Sequence, residues 1–128
     1  MGRRSERFTK ARRVRRHDEF QRVFDRSQRA KSQYWTVLIA PNDAGVVRLG
    51  IVASRKLGDA VRRNRAKRLI REVFRRSDLL PPGKGLDVVV IPRRELFDAA
   101  YSSLESDFRA TFRRCAGRLL AATSDVSR

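Results

Sequence analysis

The stretch from Val46 to Arg76, VVRLGIVASRKLGDAVRRNRAKRLIREVFRR, decides how the rest of the chain is read. Its first nine residues alternate, with Val47, Leu49, Ile51 and Ala53 on one face and Arg48, Gly50, Val52 and Ser54 on the other. That period of two predicts a strand with unequal faces. Gly50 leaves room for something to approach the sheet closely. Asp59, after Gly58, is placed to cap a helix running to about Arg76. On a helical wheel Ala66, Leu69, Ile70, Val73 and Phe74 form one apolar stripe. Asn64, Arg68, Arg71 and Arg75 fall on the opposite side, with Arg65 beside them and Lys67 on the flank. The helix therefore docks by one face and presents a basic ridge on the other.

From Arg62 to Arg76, eight of fifteen residues are basic and only Glu72 is acidic. Like charges one turn apart cost an isolated helix a few tenths of a kcal/mol per pair. A segment this basic calls for an anionic partner outside the helix. The whole chain of 128 residues carries a formal charge of +17. Residues 1–31 hold twelve Lys/Arg against four acids, and residues 55–76 hold ten against two, each netting +8. The other positions are nearly neutral, so the charge is a localised footprint for nucleic acid or an anionic surface.

Working outward, YWTVLIAP at Tyr34–Pro41 reads as a strand, and NDAG between it and the Val46–Ser54 strand reads as a turn. The two are expected to form an antiparallel hairpin. LLPPGKG breaks the chain after the basic helix, and LDVVVIP at Leu86–Pro92 has the continuous apolar character of a strand buried on both faces, as in a parallel pairing. A helix between two such strands is a crossover unit. Upstream, HDEFQRVF starts a helix with Phe20, Val23 and Phe24 on one face. Downstream, a helix is expected from about Ala99 to Ala121, with Tyr101, Leu104, Phe108, Phe112, Cys115 and Leu119 facing the core. Residues 1–16 are expected to be a flexible basic arm and residues 122–128 a disordered tail. The expectation is one α+β domain over 1–128, with three identifiable strands in a small mixed sheet and helices packed on it.

One cysteine, Cys115, excludes an internal disulfide and a cysteine-clustered zinc site. No apolar run approaches the length of a membrane span, and MGRRSERFTKARRVRR lacks the apolar core of a secretory signal, so a cytoplasmic protein with no membrane partner is expected. The single histidine, His17, stands among arginines at a helix start, and the carboxylates form no evident metal set. No protein catalytic residue, metal site or small-molecule substrate is expected. PPGKG precedes a strand instead of linking strand to helix, and is not a phosphate loop.

The run SRKLGDAVRRNRAKRLIREVF, and within it Arg63, Asn64, Arg65, Lys67, Arg68 and Arg71, resembles the signature of the bacterial ribonuclease P protein subunit. The resemblance extends from about EFQRVF to the last helix. It implies a fourth strand, giving an αβββαβα order. It further implies a partner RNA that carries out Mg²⁺-dependent removal of the 5′ leader from precursor tRNA. By the resemblance, Lys56, Arg63, Asn64, Arg65, Lys67, Arg68 and Arg71 face the ribonuclease P RNA. A cleft between the first helix and the sheet takes the leader, with Phe20, Phe24 and Tyr34 as stacking candidates. Ser27 and Pro92 depart from the usual residues of the family and bear on the cleft edge. The alternative is a non-catalytic RNA-binding protein of the ribosome. A duplex-DNA regulator is disfavoured because a strand and SRKLGD, not a helix-turn-helix, lead into the basic helix.

Overall fold

In a computed structural model, residues 13–14, 17–77 and 85–126 are described. The order is α1 (His17–Arg26), β1 (Gln28–Lys31), β2 (Trp35–Pro41), β3 (Val47–Ile51), α2 (Ala60–Ser77), β4 (Leu86–Pro92) and α3 (Tyr101–Val126). Short 3₁₀ turns at Arg55–Leu57 and Arg94–Asp98 complete it. This is the expected αβββαβα order of an α+β domain. The segment LLPPGK, residues 1–12, 15 and 16 of the basic arm, and the last two residues of the tail lie outside the described residues. Arg13 and Val14 of that arm lie along β3, with the Val14 N–H donating to the Leu49 carbonyl at 3.0 Å.

The sheet order is β1-β2-β4-β3. β4 pairs antiparallel with β2 and parallel with β3. The expected hairpin between Tyr34–Pro41 and Val46–Ser54 is therefore corrected: the two strands are neighbours in sequence but not in the sheet. The reason lies in β4, whose Val88, Val89 and Val90 are all fully buried. A strand covered on both faces and flanked on both sides must be central. Inserting it separates β2 from β3, and α2 makes the crossover that a parallel β3–β4 pair requires. NDAG still turns the chain: Asn42 Oδ1 accepts from the Ala44 N–H at 2.9 Å, and Gly45 has φ +73°. It does so as a loop across β4, with the Asn42 N–H bonded to the Gly85 carbonyl.

Alternation along the strands builds two unequal layers. Trp35, Val37, Ile39, Leu49, Val88 and Val90 face α2 and α3, meeting Ala66, Ile70, Val73, Phe74, Leu104, Phe108, Phe112 and Cys115. Edge-on aromatic contacts fix this core, Trp35–Phe108 at 5.8 Å and Phe74–Phe108 at 6.1 Å between ring centroids. Each such fully buried side chain contributes about 1.5–3 kcal/mol by leaving water. The Cys115 thiol donates to the Gln28 carbonyl at 3.0 Å, and burial pushes its pKa up to about 11. It is a small core residue.

The other face carries α1. Val23 packs on Leu38, Ala40 and Val89, with Phe20, Val52 and Ile91 beside them. Gly50 is where α1 comes close: a Cβ there would sit 2.8 Å from Phe20 Cε1 and 2.9 Å from Val14 Cβ. The room read from the sequence is taken up by the protein's own Phe20. Pro92 extends β4 beyond the last residue paired with β3, so its missing N–H costs no ladder bond on that side. α3 starts later than expected and runs on to Val126, so the tail expected from residue 122 is helical over most of its length.

Candidate nucleic-acid interface

The basic surface begins where β3 hands over to α2. Buried Leu57 pins the 3₁₀ turn, leaving Arg55 and Lys56 exposed. Gly58 follows with φ +145°, and a Cβ there would strike Arg62 Cδ at 2.7 Å. Asp59 Oδ1 then accepts from the Arg62 N–H at 2.9 Å, which is the N-cap expected from the sequence. A carboxylate at this end also offsets the positive pole of the helix. The Lys56 carbonyl accepts from Arg94 Nε at 3.0 Å, tying this corner to the second 3₁₀ turn.

From that corner α2 buries Ala66, Ile70, Val73 and Phe74, and its polar residues form two rows. Asn64, Arg65 and Arg68 are exposed along the crest. Arg63, Lys67 and Arg71, four residues apart, run half-buried along the flank. Burial, with the positive charge of Arg13 next, lowers the Arg71 pKa from its ordinary value. Arg13 thus extends the basic surface beyond the helix, which the sequence pattern did not show. Glu72 pairs with Arg75 and with Arg76 (2.7 Å), which lowers its pKa, and so the only acid within α2 is engaged at the C-terminal end. Among the described residues none of Arg63, Arg65, Lys67, Arg68 and Arg71 has an ion-pair partner. Such an arrangement leaves guanidinium and ammonium donors spaced along one helix and available to phosphate oxygens.

Of the three aromatic residues nominated for a cleft, the structure brings two together. Phe20 and Phe24 lie on α1, Phe20 half-buried over Gly50 and Phe24 with 37% of its surface exposed. Tyr34 instead packs against the core shared with α2 and α3, its ring 6.0 Å from Trp35. Being just ahead of β2, it turns to the opposite layer. Ser27 follows α1 directly, half-buried at its junction with β1.

One cluster went unread in the sequence. Arg48 on β3 donates through Nε and Nη2 to both oxygens of Asp87 on β4, at 2.7 and 2.8 Å, and through Nη1 to Glu19 on α1 at 2.8 Å. Asn42 Nδ2 donates to the same Asp87 carboxylate at 2.7 Å. The hydrogen bond with Asp87 raises the Arg48 pKa above its ordinary value. The signal was available: a charge in each of two otherwise apolar strands needs a partner. The network fixes α1 over the sheet and so sets the wall that carries Phe20 and Phe24.

Among the described residues no group of three or more His, Cys, Asp or Glu is placed to hold a metal ion, and no helix is long and apolar enough to cross a membrane. The ribonuclease P family model matches residues 8–116. The chain belongs to the bacterial ribonuclease P protein family. The ribonuclease P protein component of Thermotoga petrophila is 44% identical over 92 residues, covering 72% of this chain and 78% of the relative. That of Clostridium botulinum is 35% identical over 97 residues, covering 76% and 87%. The solved ribonuclease P protein of Thermotoga maritima superposes with a TM-score of 0.70 at 36% identity, covering 80% of this chain and 96% of that one. The Staphylococcus aureus protein gives 0.70 at 29% identity, covering 81% and 94%. The run that resembles the family signature in the sequence lies along the two polar rows of α2.

Proposed function

We propose that the chain is the protein subunit of a ribonuclease P ribonucleoprotein, and that it engages two RNA elements on two faces. Lys56, Arg63, Asn64, Arg65, Lys67, Arg68 and Arg71 bind the phosphates and sugars of the catalytic RNA. Phe20 and Phe24 stack unpaired bases of the 5′ leader of precursor tRNA at about 1–3 kcal/mol per base, with little sequence preference. The RNA subunit, using Mg²⁺, removes the leader to give the mature tRNA 5′ end. The protein holds the leader and the RNA in register and works in the cytoplasm.

The observation that carries this reading is the pair of basic rows on α2 without acidic partners among the described residues, in a chain of this family. A helix that leaves its cations unpaired gains from a neighbour dense in phosphate. The test is cleavage of a leader-bearing precursor tRNA at low Mg²⁺ by the protein alone, by a bacterial ribonuclease P RNA alone, and by both. Cleavage by the mixture well above RNA alone is the expected result. No gain over RNA alone overturns the reading, and cleavage by the protein alone places the chemistry in the wrong subunit. Phe24→Ala should narrow the preference for leader-bearing over mature tRNA while leaving assembly with the RNA intact.

A further inference from the structure

A second concentration of positive charge lies far from α2, at the opposite edge of the sheet. Arg29 and Lys31 on β1, with Arg114 and Arg118 on α3, line an open concavity of about 420 Å³. β1 is the edge strand, separated from β3 by β2 and β4, about 14 Å at normal strand spacing. The two helix arginines are held in place by the strand. Arg114 Nη2 donates to the Lys31 carbonyl at 2.8 Å, and Arg118 Nη1 donates to the Arg29 carbonyl. One helical turn, about 5.4 Å, matches the roughly 6.6 Å between alternate residues of a strand, so arginines four apart reach carbonyls two apart. These contacts occupy acceptors on the free edge of the sheet, which an edge strand otherwise leaves open. Each guanidinium carries five N–H groups, and one bond to a carbonyl leaves the others for an external acceptor. The lining includes neither an acid nor an apolar side chain.

We infer that this β1-edge cluster is a phosphate-binding extension of the leader track, carrying the backbone of the single-stranded leader beyond the bases stacked on α1. The inference rests on the function proposed above. Arg29 stands opposite Leu38 and Lys31 opposite Thr36, which places both on the α1 face of the sheet, the face against which Phe20 packs. β1 follows α1 after one residue, so the backbone leads directly from the helix that carries Phe24 to the strand that carries Arg29. Four cations without an apolar anchor suit a flexible polyphosphate and lack the apolar centre of a protein–protein interface.

The experiment uses the assembled ribonucleoprotein with Arg29→Gln/Lys31→Gln, which removes two charges but keeps the backbone carbonyls that hold Arg114 and Arg118. Binding is measured against salt for precursor tRNAs with leaders of roughly two and roughly ten nucleotides, and for mature tRNA. The expected result is weaker binding of the long-leader substrate alone, with its salt slope reduced by about 1.4. Arg29→Lys/Lys31→Arg should restore both. Equal losses for both leaders, or no loss, overturn the inference. Weaker assembly with the catalytic RNA also overturns it, by assigning the cluster to that RNA. Failure of the unaltered chain to stimulate the RNA at all is the separate failure of the proposed function.

Discussion

Arg48 and Arg68 are the same side chain in opposite circumstances. Arg48 is 14% exposed and meets two carboxylates from two other elements. Arg68 is exposed on α2 with no acidic partner among the described residues. Arg48 has its counter-charge built into the fold and serves the fold. Arg68 and its neighbours lack one, and α2 is held instead by its apolar stripe, its Asp59 cap and the Arg62 guanidinium over the Phe97 ring. Stability and the proposed function are thereby separated: the half-buried Arg48 positions α1, and the exposed arginines of α2 are spared for the RNA contacts proposed above.

The strongest way to break this contrast is to remove the half-buried cation of Arg48. Arg48→Ala leaves Asp87, 2% exposed, with Asn42 as its remaining side-chain partner, and should cost about 3–5 kcal/mol in urea unfolding. A loss below about 1 kcal/mol would put Arg48 in the class of ordinary surface pairs. Gly50→Val tests the same face by crowding, since its Cβ would lie within 3 Å of Phe20 and Val14. A destabilisation of about 1–3 kcal/mol is expected, and a neutral result would mean that α1 is held loosely.

Arg68→Ala should change stability by no more than about 0.5 kcal/mol. Its effect belongs to binding: the salt slope for the catalytic RNA should fall by about 0.7–0.9, one phosphate contact. An unchanged slope removes Arg68 from the RNA-facing surface. The smallest effect concerns Cys115, whose pKa is raised to about 11. The stability gained by keeping its thiol neutral is complete below the ordinary thiol pKa and is lost as pH rises toward 11. At neutral pH its alkylation should follow the unfolding rate, and faster labelling in the native state would show that the α3 layer opens on its own.

The legible parts of the molecule were those governed by short periods. The two faces of α2, its Asp59 cap and the alternation in β3 follow from residues a few positions apart, so local chemistry determines them. The continuous apolar run of β4 also reported its own burial correctly. What it implied for its neighbours was missed, because sequence proximity and a competent turn at NDAG favoured a hairpin that the central strand forbids. β1 was missed because QRAK is four residues long with only Ala30 buried, too little for any period. Its existence came from family resemblance. Tyr34 was grouped with Phe20 and Phe24 by residue type, yet sheet faces are assigned by register, and Tyr34 joins the other layer.

Because β4 is inserted between two strands made before it, the sheet cannot be completed in the order of synthesis. β1 and β2 can pair as soon as they emerge, but β3 and the apolar stripe of α2 must wait for Leu86–Pro92. A chain cut before residue 86 would retain the entire basic helix α2 and have no central strand on which to place it. Such a fragment would hold unpaired strand edges and an undocked apolar helix, the conditions for aggregation during translation. A ribosome that stalls between α2 and β4 would therefore release a strongly cationic, unfolded segment, and the nearest polyanion available to it would be the ribosome's own RNA.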